Sequence, residues 1–182
     1  MNYYLKGTRI YLREVRQSDV NENYYNWLND SEINQFLETR FIPRSSKNII
    51  DFVEQHAEKS DEPFFAMCLL DTNQHIGNIK LGPINWYHRN ADVSLFIGEK
   101  NLWGKGYASE AISIVSKFAF ETLNLNKLKA GCYAENLGSA RAFEKCGYHR
   151  EGLLKGHVFS KGKEEDIVLL GLQASGFRKK NI

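Results

Sequence analysis

Residues 92–121 have the sequence DVSLFIGEKNLWGKGYASEAISIVSKFAFE, which contains a strand, a turn and a helix in immediate succession. Residues 92–97 are mostly apolar and partly β-branched, which predicts a short strand, and residues 98–103 interrupt that pattern. From Ala108 to about Glu121, apolar side chains recur every three or four positions, which predicts one buried face of a helix. The chain is therefore expected to leave a sheet through a glycine-containing turn and to enter a long helix.

Gly104, Lys105 and Gly106 form the turn before this helix. The first turn of a helix leaves backbone N–H groups unpaired, and the helix dipole places partial positive charge there, so that a phosphate can bind. Glycine lets the backbone approach a phosphate without an intervening β-carbon, and Lys105 adds a cation. A lone Gly-x-Gly also marks many ordinary helix starts, and the turn matches neither the nucleotide P-loop nor the dinucleotide-binding pattern. The turn by itself therefore leaves a phosphate site and an ordinary helix entry both open.

Length and composition indicate one globular domain, expected to span residues 1–182. Hydrophobic residues make up 42% of the chain and charged residues 25%, which is ordinary for a soluble domain. The formal net charge of +2 gives no basic field that would indicate a nucleic-acid partner. No apolar run approaches the roughly 20 residues that a membrane span requires, and the start of the chain lacks the apolar segment of a signal peptide. We therefore expect neither a nucleic-acid nor a membrane partner.

The cysteines and histidines predict neither disulfides nor a metal site. Cys68, Cys132 and Cys146 are an odd number without paired spacing, which is typical of reduced thiols in a cytoplasmic protein. The five histidines form no cluster with the spacing of metal ligands. The expected location is therefore the cytoplasm, with no bound metal.

The remaining pattern predicts an α+β fold with a mixed sheet of about seven strands and helices on both faces. The predicted strands cover residues 8–15, 64–70, 75–81, 91–97, 127–133, 148–153 and 158–172, with a turn at residues 161–163. The other predicted helices begin at Ser18 or Asp19, at Ser31, at Ser45 or Ser46, and at Asn136. The core is expected to cover about residues 7–172, followed by a basic, mobile tail at residues 177–182.

Two motifs resemble those of the GNAT superfamily of N-acetyltransferases. Residues 101–106, NLWGKG, are similar to its acyl-CoA pyrophosphate loop, with Asn101 in place of the usual glutamine or arginine. Residues 136–148, NLGSARAFEKCGY, resemble its second motif, in which an asparagine opens a helix that ends in a Glu-Lys-x-Gly-Phe/Tyr phrase. Residues 9–13 and 27–33 resemble the branch of ribosomal-protein N-terminal acetyltransferases and bacterial amino-sugar acetyltransferases. The resemblance covers about residues 7–171 and implies a GNAT-like single domain with a mostly antiparallel sheet.

The resemblance implies acetyl-CoA as acetyl donor and co-substrate. Its pantetheine arm would lie along the strand that contains Phe96 and Ile97, as though it were an extra strand, and a backbone N–H near Ile97 would stabilise the oxyanion. Asn136 and Ser139 would contact the same arm. The pyrophosphate would bind the turn formed by Trp103, Gly104, Lys105, Gly106, Tyr107 and Ala108.

Acetyl transfer to an amine requires a neutral amine, a stabilised oxyanion and departure of a thiolate. Asp92 occupies a position where many relatives have glutamate, and it is one candidate base; His88, in the loop before it, is another. Many relatives have a tyrosine general acid where this chain has Phe143, which cannot donate a proton. Ser139 matches the acid of the N-terminal acetyltransferase branch, and departure of the thiolate without an acid also stays open.

The acceptor site is expected in the variable helices and loops, at Tyr25, Trp27, Asn29, Arg40, Trp86, Tyr87 and His88. The favoured reaction is direct attack in a ternary complex by a small-molecule primary amine such as a nucleotide-linked amino sugar. A protein N-terminal amine is the alternative acceptor. A different class of function is a module that binds CoA without catalysing a reaction. Phe143 supports this alternative, because it replaces the tyrosine that acts as general acid in many relatives. A homodimer is compatible with the sequence, which leaves the oligomeric state open.

Overall fold

An eight-stranded sheet forms the centre of the protein. The structure, a computed structural model, describes residues 3–180. The strands are β1 Leu5–Lys6, β2 Ile10–Glu14, β3 Phe64–Leu69, β4 His75–Asn85, β5 Asn90–Ile97, β6 Lys127–Tyr133, β7 His149–Ser160 and β8 Lys163–Gln173. Their order is β1-β2-β3-β4-β5-β6-β8-β7, and every neighbouring pair is antiparallel except β5 and β6. The predicted α+β class is confirmed; β1 raises the strand number above the expected seven.

Helices cover both faces of the sheet, as predicted. They are α1 Glu22–Asn29, α2 Ser46–Ala57, α3 Tyr107–Glu121, α4 Leu137–Lys145 and α5 Ala174–Lys180. The first two contribute to one apolar cluster, and the other three contribute to a larger cluster on the opposite face. Ile112 and Val115 of α3 are fully buried, and burial of side chains of this size stabilises the fold by about 1.5–3 kcal/mol each. Among the described helices, none has the length and apolar character needed to cross a membrane.

The segment between β2 and α2 differs from the prediction. Asp19 does not cap α1, because its carboxylate accepts hydrogen bonds from both terminal nitrogens of Arg13 at 2.6 and 2.7 Å. Asn21 caps the helix instead, accepting from the Tyr24 amide at 3.2 Å. The helix expected at residues 31–37 is replaced by turns, in which the Asp30 carboxylate accepts backbone N–H groups two and three residues further on.

The chain continues past β8 into α5. Residues 177–180 belong to α5, and the Phe177 ring is buried, with its centroid 5.3 Å from that of Phe120. The core therefore extends past the predicted end at residue 172. Residues 181 and 182 of the predicted tail lie outside the described residues.

The centre of the sheet opens between β5 and β6. These two strands pair only over Asn90 to Asp92 and Lys127 to Lys129. Beyond Asp92 and Lys129 they diverge, so residues 93–97 and 130–133 border a gap that we call the wedge. This separation leaves backbone groups on both sides of the gap available to a ligand.

Candidate active site

The glycine turn lies where β5 leads into α3 and presents backbone N–H groups outward. Gly104 and Gly106 have φ angles of 72° and 86°, a left-handed conformation that favours glycine. Within residues 3–180, the amides of Gly104, Gly106, Tyr107 and Ala108 donate to no protein acceptor. A β-carbon added at Gly104 would meet no atom within 4 Å. The turn therefore has the geometry of an anion site, with open space in front of Gly104.

Two of the six backbone amides that were expected to bind the pyrophosphate donate hydrogen bonds within the turn itself. The Trp103 amide donates to the Lys100 carbonyl at 3.1 Å, and the Lys105 amide donates to the Leu102 carbonyl at 3.4 Å. The Trp103 indole N–H donates to the Ile97 carbonyl at 2.8 Å, which ties the turn to the end of β5. Trp103 therefore supports the turn, and the contacts of Trp103 and Lys105 with the pyrophosphate stay predictions.

Arg9 and Glu110 connect this turn to the start of the sheet at residues 8–10. Neither residue was predicted from the sequence to have a role in the site. One Glu110 carboxylate oxygen accepts the amides of Thr8, Arg9 and Ile10 at 2.8, 2.7 and 3.2 Å. Arg9 Nε donates to the other oxygen at 2.9 Å, and Arg9 Nη1 donates to the Lys105 carbonyl at 2.9 Å. Burial works against the charged form of Glu110, but the hydrogen bonds from the Arg9, Ile10 and Thr8 amides and the Arg9 side chain together lower the pKa of the carboxyl group.

Alternate backbone groups of β5 point into the wedge. The Gly98 amide donates to the Ile76 carbonyl of β4 at 2.8 Å, and bonding direction alternates along a strand, so the N–H groups of Leu95 and Ile97 point away from β4. Ile97 is thus placed where an oxyanion donor was expected. Phe96 is not: its backbone faces β4, and its ring contacts Trp27 with centroids 6.2 Å apart. Phe96 therefore packs against α1, and its contact with the cofactor stays a prediction.

Asn136 and Ser139 lie on the α4 side of the wedge. Asn136 is the N-cap of α4, and its Oδ1 accepts the Ser139 amide at 3.1 Å. Burial raises the pKa of the Cys132 thiol of β6, and the nearby Ser139 hydroxyl partly opposes this shift. Phe143 is buried against Tyr148, at 5.0 Å between ring centroids. Ser139 is therefore the half-buried hydroxyl of this helix next to the wedge, whereas Phe143 belongs to the core.

Asp92 stands at the closed end of the wedge, on the face opposite α3 and α4. Its carboxylate pairs with Lys129 Nζ at 3.2 Å, and both side chains are 45% exposed. A groove of about 420 Å³ joins these two residues to Trp86 and Tyr87. The structure thus brings together Asp92, Trp86 and Tyr87, three residues that the sequence analysis selected separately.

His88 lies outside this arrangement. It is an exposed residue of the turn between β4 and β5, and it does not line the groove. From Asn90, where β5 begins, to Ile97 the strand advances about 23 Å at roughly 3.3 Å per residue. His88 therefore lies farther along the chain from Ile97 than Asp92 does, and its role as the alternative base stays a prediction.

Two residues predicted to contact the acceptor are structural. Trp27 is 5% exposed, and a β-carbon added at Gly98 would lie 2.1 Å from its ring, so the indole packs directly on that glycine. Asn29 donates to the Tyr25 and Arg44 carbonyls at 2.9 and 3.0 Å, and it accepts the Arg44 amide at 3.0 Å. Both side chains are fully used in folding, which corrects their predicted role.

Arg40 belongs to a polar cluster with Tyr133 and Glu38 at the open end of the wedge. Arg40 Nη2 donates to the Tyr133 hydroxyl at 2.7 Å, and that hydroxyl donates to Glu38 Oε1 at 2.5 Å. Burial and the Glu38 carboxylate raise the pKa of Tyr133. The Arg40 side chain is only 13% exposed, whereas that of Glu38 is 75% exposed. Glu38 is therefore the member of this cluster that a ligand can reach, and no sequence motif had selected it.

Metal ligands are not grouped in this region. Among residues 3–180, no three His, Cys, Asp or Glu side chains are close enough together to hold a metal ion. The expectation that the protein works without a metal stays a prediction.

The family profile described as "Acetyltransferase (GNAT) domain" matches residues 9–149. The chain belongs to the GNAT acetyltransferase family. It is 33% identical over 180 residues to the probable N-acetyltransferase YjcK of Bacillus subtilis (strain 168), covering 92% of this chain and 96% of that protein. It is also 33% identical over 92 residues to the spermidine N(1)-acetyltransferase of Vibrio cholerae, covering 50% of this chain and 53% of that protein.

Solved structures show the same fold. The crystal structure of the spermidine N-acetyltransferase from Vibrio cholerae in complex with CoA and spermine superposes with a TM-score of 0.84 at 24% identity, covering 94% of this chain and 99% of that one. A GNAT-family acetyltransferase from Bacillus anthracis gives a TM-score of 0.82 at 23% identity, covering 94% and 98%. The chain is therefore an N-acetyltransferase of a family that uses acetyl-CoA, as its two motifs predicted.

Proposed function

We propose that this GNAT protein transfers the acetyl group of acetyl-CoA to a primary amine of a small cationic molecule, by direct attack in a ternary complex. The wedge carries this proposal. Its β5 border offers the N–H groups of Leu95 and Ile97, and its mouth is formed by the outward amides of Gly104 and Gly106. A pantetheine arm needs strand-like hydrogen bonds and a pyrophosphate needs clustered amides, so one donor molecule can use both.

The catalytic groups lie on opposite faces of the wedge. Asp92 stands on the acceptor face and Ser139 on the α4 face, so an amine can approach from one side while the thiolate leaves on the other. A half-exposed ion pair such as that of Asp92 with Lys129 is worth about 1 kcal/mol or less. An incoming ammonium group can therefore replace Lys129 at the carboxylate. Asp92 then accepts the amine's proton through intervening water, because it lies about 16 Å along β5 from Ile97 at roughly 3.3 Å per residue, and Ser139 donates to the leaving sulfur.

The charge of the segment around α1, on the face where the acceptor is expected to bind, favours a positively charged acceptor. Residues 17–39 carry five carboxylates and neither lysine nor arginine: Asp19, Glu22, Asp30, Glu32 and Glu38. Asp19 is paired with Arg13, and Asp30 and Glu32 are paired with Lys100. Glu38 lies 3.6 Å from Arg40 but is 75% exposed, and it is the member of this set next to the wedge. Such a group attracts a second ammonium group of the acceptor and disfavours the diphosphate of a nucleotide sugar. The spermidine-acetylating relative supports the same acceptor class.

A panel assay tests this proposal. Thiol release from acetyl-CoA is measured with spermidine, spermine, UDP- and dTDP-linked amino sugars and N-terminal peptides. We expect turnover with the polyamines, and we expect Glu38→Gln to raise their KM about tenfold at unchanged affinity for CoA. Glu22→Gln, which makes the same charge change on the exposed start of α1, is the control.

Turnover confined to amino sugars would overturn the acceptor assignment in favour of the nucleotide-sugar prediction, and turnover confined to peptides would favour the N-terminal alternative. Tight acetyl-CoA binding without turnover on any panel member would instead support the non-catalytic module.

A further inference from the structure

Arg9 lies against the glycine turn with part of its guanidinium uncommitted. Its Nε and Nη1 are bonded to Glu110 and to the Lys105 carbonyl. Its Nη2 would be 3.4 Å from a β-carbon placed at Gly106, and it donates to no acceptor among residues 3–180. The free N–H groups of Arg9 are therefore next to the outward amides at the start of α3.

The guanidinium is held in one orientation. Its central carbon lies over the ring of Tyr107, the first residue of α3, at 4.4 Å from the ring centroid. The Glu110 carboxylate fixes the opposite edge with a 2.9 Å bond from Nε. An arginine ordered in this way loses little conformational freedom when it binds a phosphate, and its planar fork matches phosphate oxygens.

We propose that Arg9 is a pyrophosphate-binding and positioning residue of the donor site. Its Nη2 donates to a phosphate oxygen, while its Nη1 holds the Lys105 carbonyl and thereby keeps the Gly106 amide directed outward. The proposal rests on the assignment of residues 104–108 to the CoA pyrophosphate. In this proposal the N-terminal segment takes a direct part in donor binding. Arg9 is about a hundred residues away in sequence from the turn that it supports.

Ligand dissection by calorimetry tests the role of Arg9. Dissociation constants are measured for CoA, for dephospho-CoA, which keeps the pyrophosphate, and for pantetheine, which has no phosphate. We expect Arg9→Ala to weaken CoA and dephospho-CoA binding about tenfold, as loss of one charge-assisted bond predicts, and to leave pantetheine binding unchanged. The slope of affinity against salt concentration should also fall, because one phosphate contact is lost. Arg9→Lys should restore part of the affinity, because the charge is kept without the fork.

Matched variants separate the possible failures. Arg16→Ala removes an arginine that is similarly exposed and pairs with Glu14, and it should leave all three affinities unchanged. Equal weakening of all three ligands by Arg9→Ala would show a purely structural role, and an unchanged CoA affinity would overturn the proposal outright. An effect on CoA alone would place Arg9 at the 3′-phosphate instead. If Gly104→Asp also leaves CoA affinity unchanged, the turn assignment fails rather than the role of Arg9.

Discussion

Replacing Gly104 with aspartate places a carboxylate in the space that the turn offers to a phosphate. The new β-carbon meets no atom within 4 Å, so the substitution causes no clash. The remaining structural cost comes from the φ angle of 72°, which costs an L-residue about 1–2 kcal/mol. In a domain of this size, that loss lowers the melting temperature by roughly 2–4 °C per kcal/mol.

The effect on the donor should be much larger than the effect on folding. Two like charges about 4 Å apart near a protein surface repel each other by about 4 kcal/mol. Repulsion of this size weakens binding on the order of a thousandfold. Calorimetric titration of Gly104→Asp with acetyl-CoA should therefore show a severe loss of affinity in a protein that remains folded.

Gly162 provides a closely matched control. It lies in the turn between β7 and β8, has a φ angle of 78°, and would also place a new β-carbon in open space. Gly162→Asp therefore has the same backbone strain and charge change without the phosphate. Equal acetyl-CoA affinity in the two variants would refute the assignment of the Gly104 turn to the donor.

Three further predictions test individual side chains. Ser139→Ala should lower kcat more than it weakens CoA binding, and an unchanged rate would exclude Ser139 as the acid. Trp27→Ala should cost about 3–5 kcal/mol of unfolding free energy, measured with denaturant, because it empties a buried aromatic site. The pKa of Glu110 is lowered by folding, so its stabilising contribution is complete above its unfolded pKa and is lost as the pH falls through the lowered value. The difference in unfolding free energy between the unmodified protein and Glu110→Gln should therefore be largest near neutral pH and shrink on acidification; a pH-independent difference would contradict this linkage.

The features of the site that could be predicted from the sequence are those that depend on residues close together in the chain. Gly104 and Gly106 adopt the left-handed backbone that glycine favours, and Asn136 caps the helix that follows it. Such features depend on a few consecutive residues, so spacing and residue type are sufficient to find them.

The parts that sequence missed depend on contacts between distant residues. Glu38 meets Tyr133 across 95 positions, and Arg9 meets Glu110 across 101. Asn29 looked available to a substrate because its bonds to the Arg44 backbone arise only when the loop folds back on α1. Hydrophobic periodicity locates helices and strands, but it does not indicate which polar side chains contact each other when these elements pack together.

Because the donor is expected to bind in the wedge, its supply also affects the thermodynamic stability of the protein. Open strand edges normally occur at the rim of a sheet, where they attract unwanted strands, but β5 and β6 place two such edges at its centre. A donor that binds there adds its hydrogen bonds to the middle of the fold and stabilises the native state by mass action, by about 2.7 kcal/mol at a hundredfold excess over Kd. Cellular acetyl-CoA would then stabilise the folded enzyme as well as serve as its reactant, so that depletion of the donor would lower the stability of the native state.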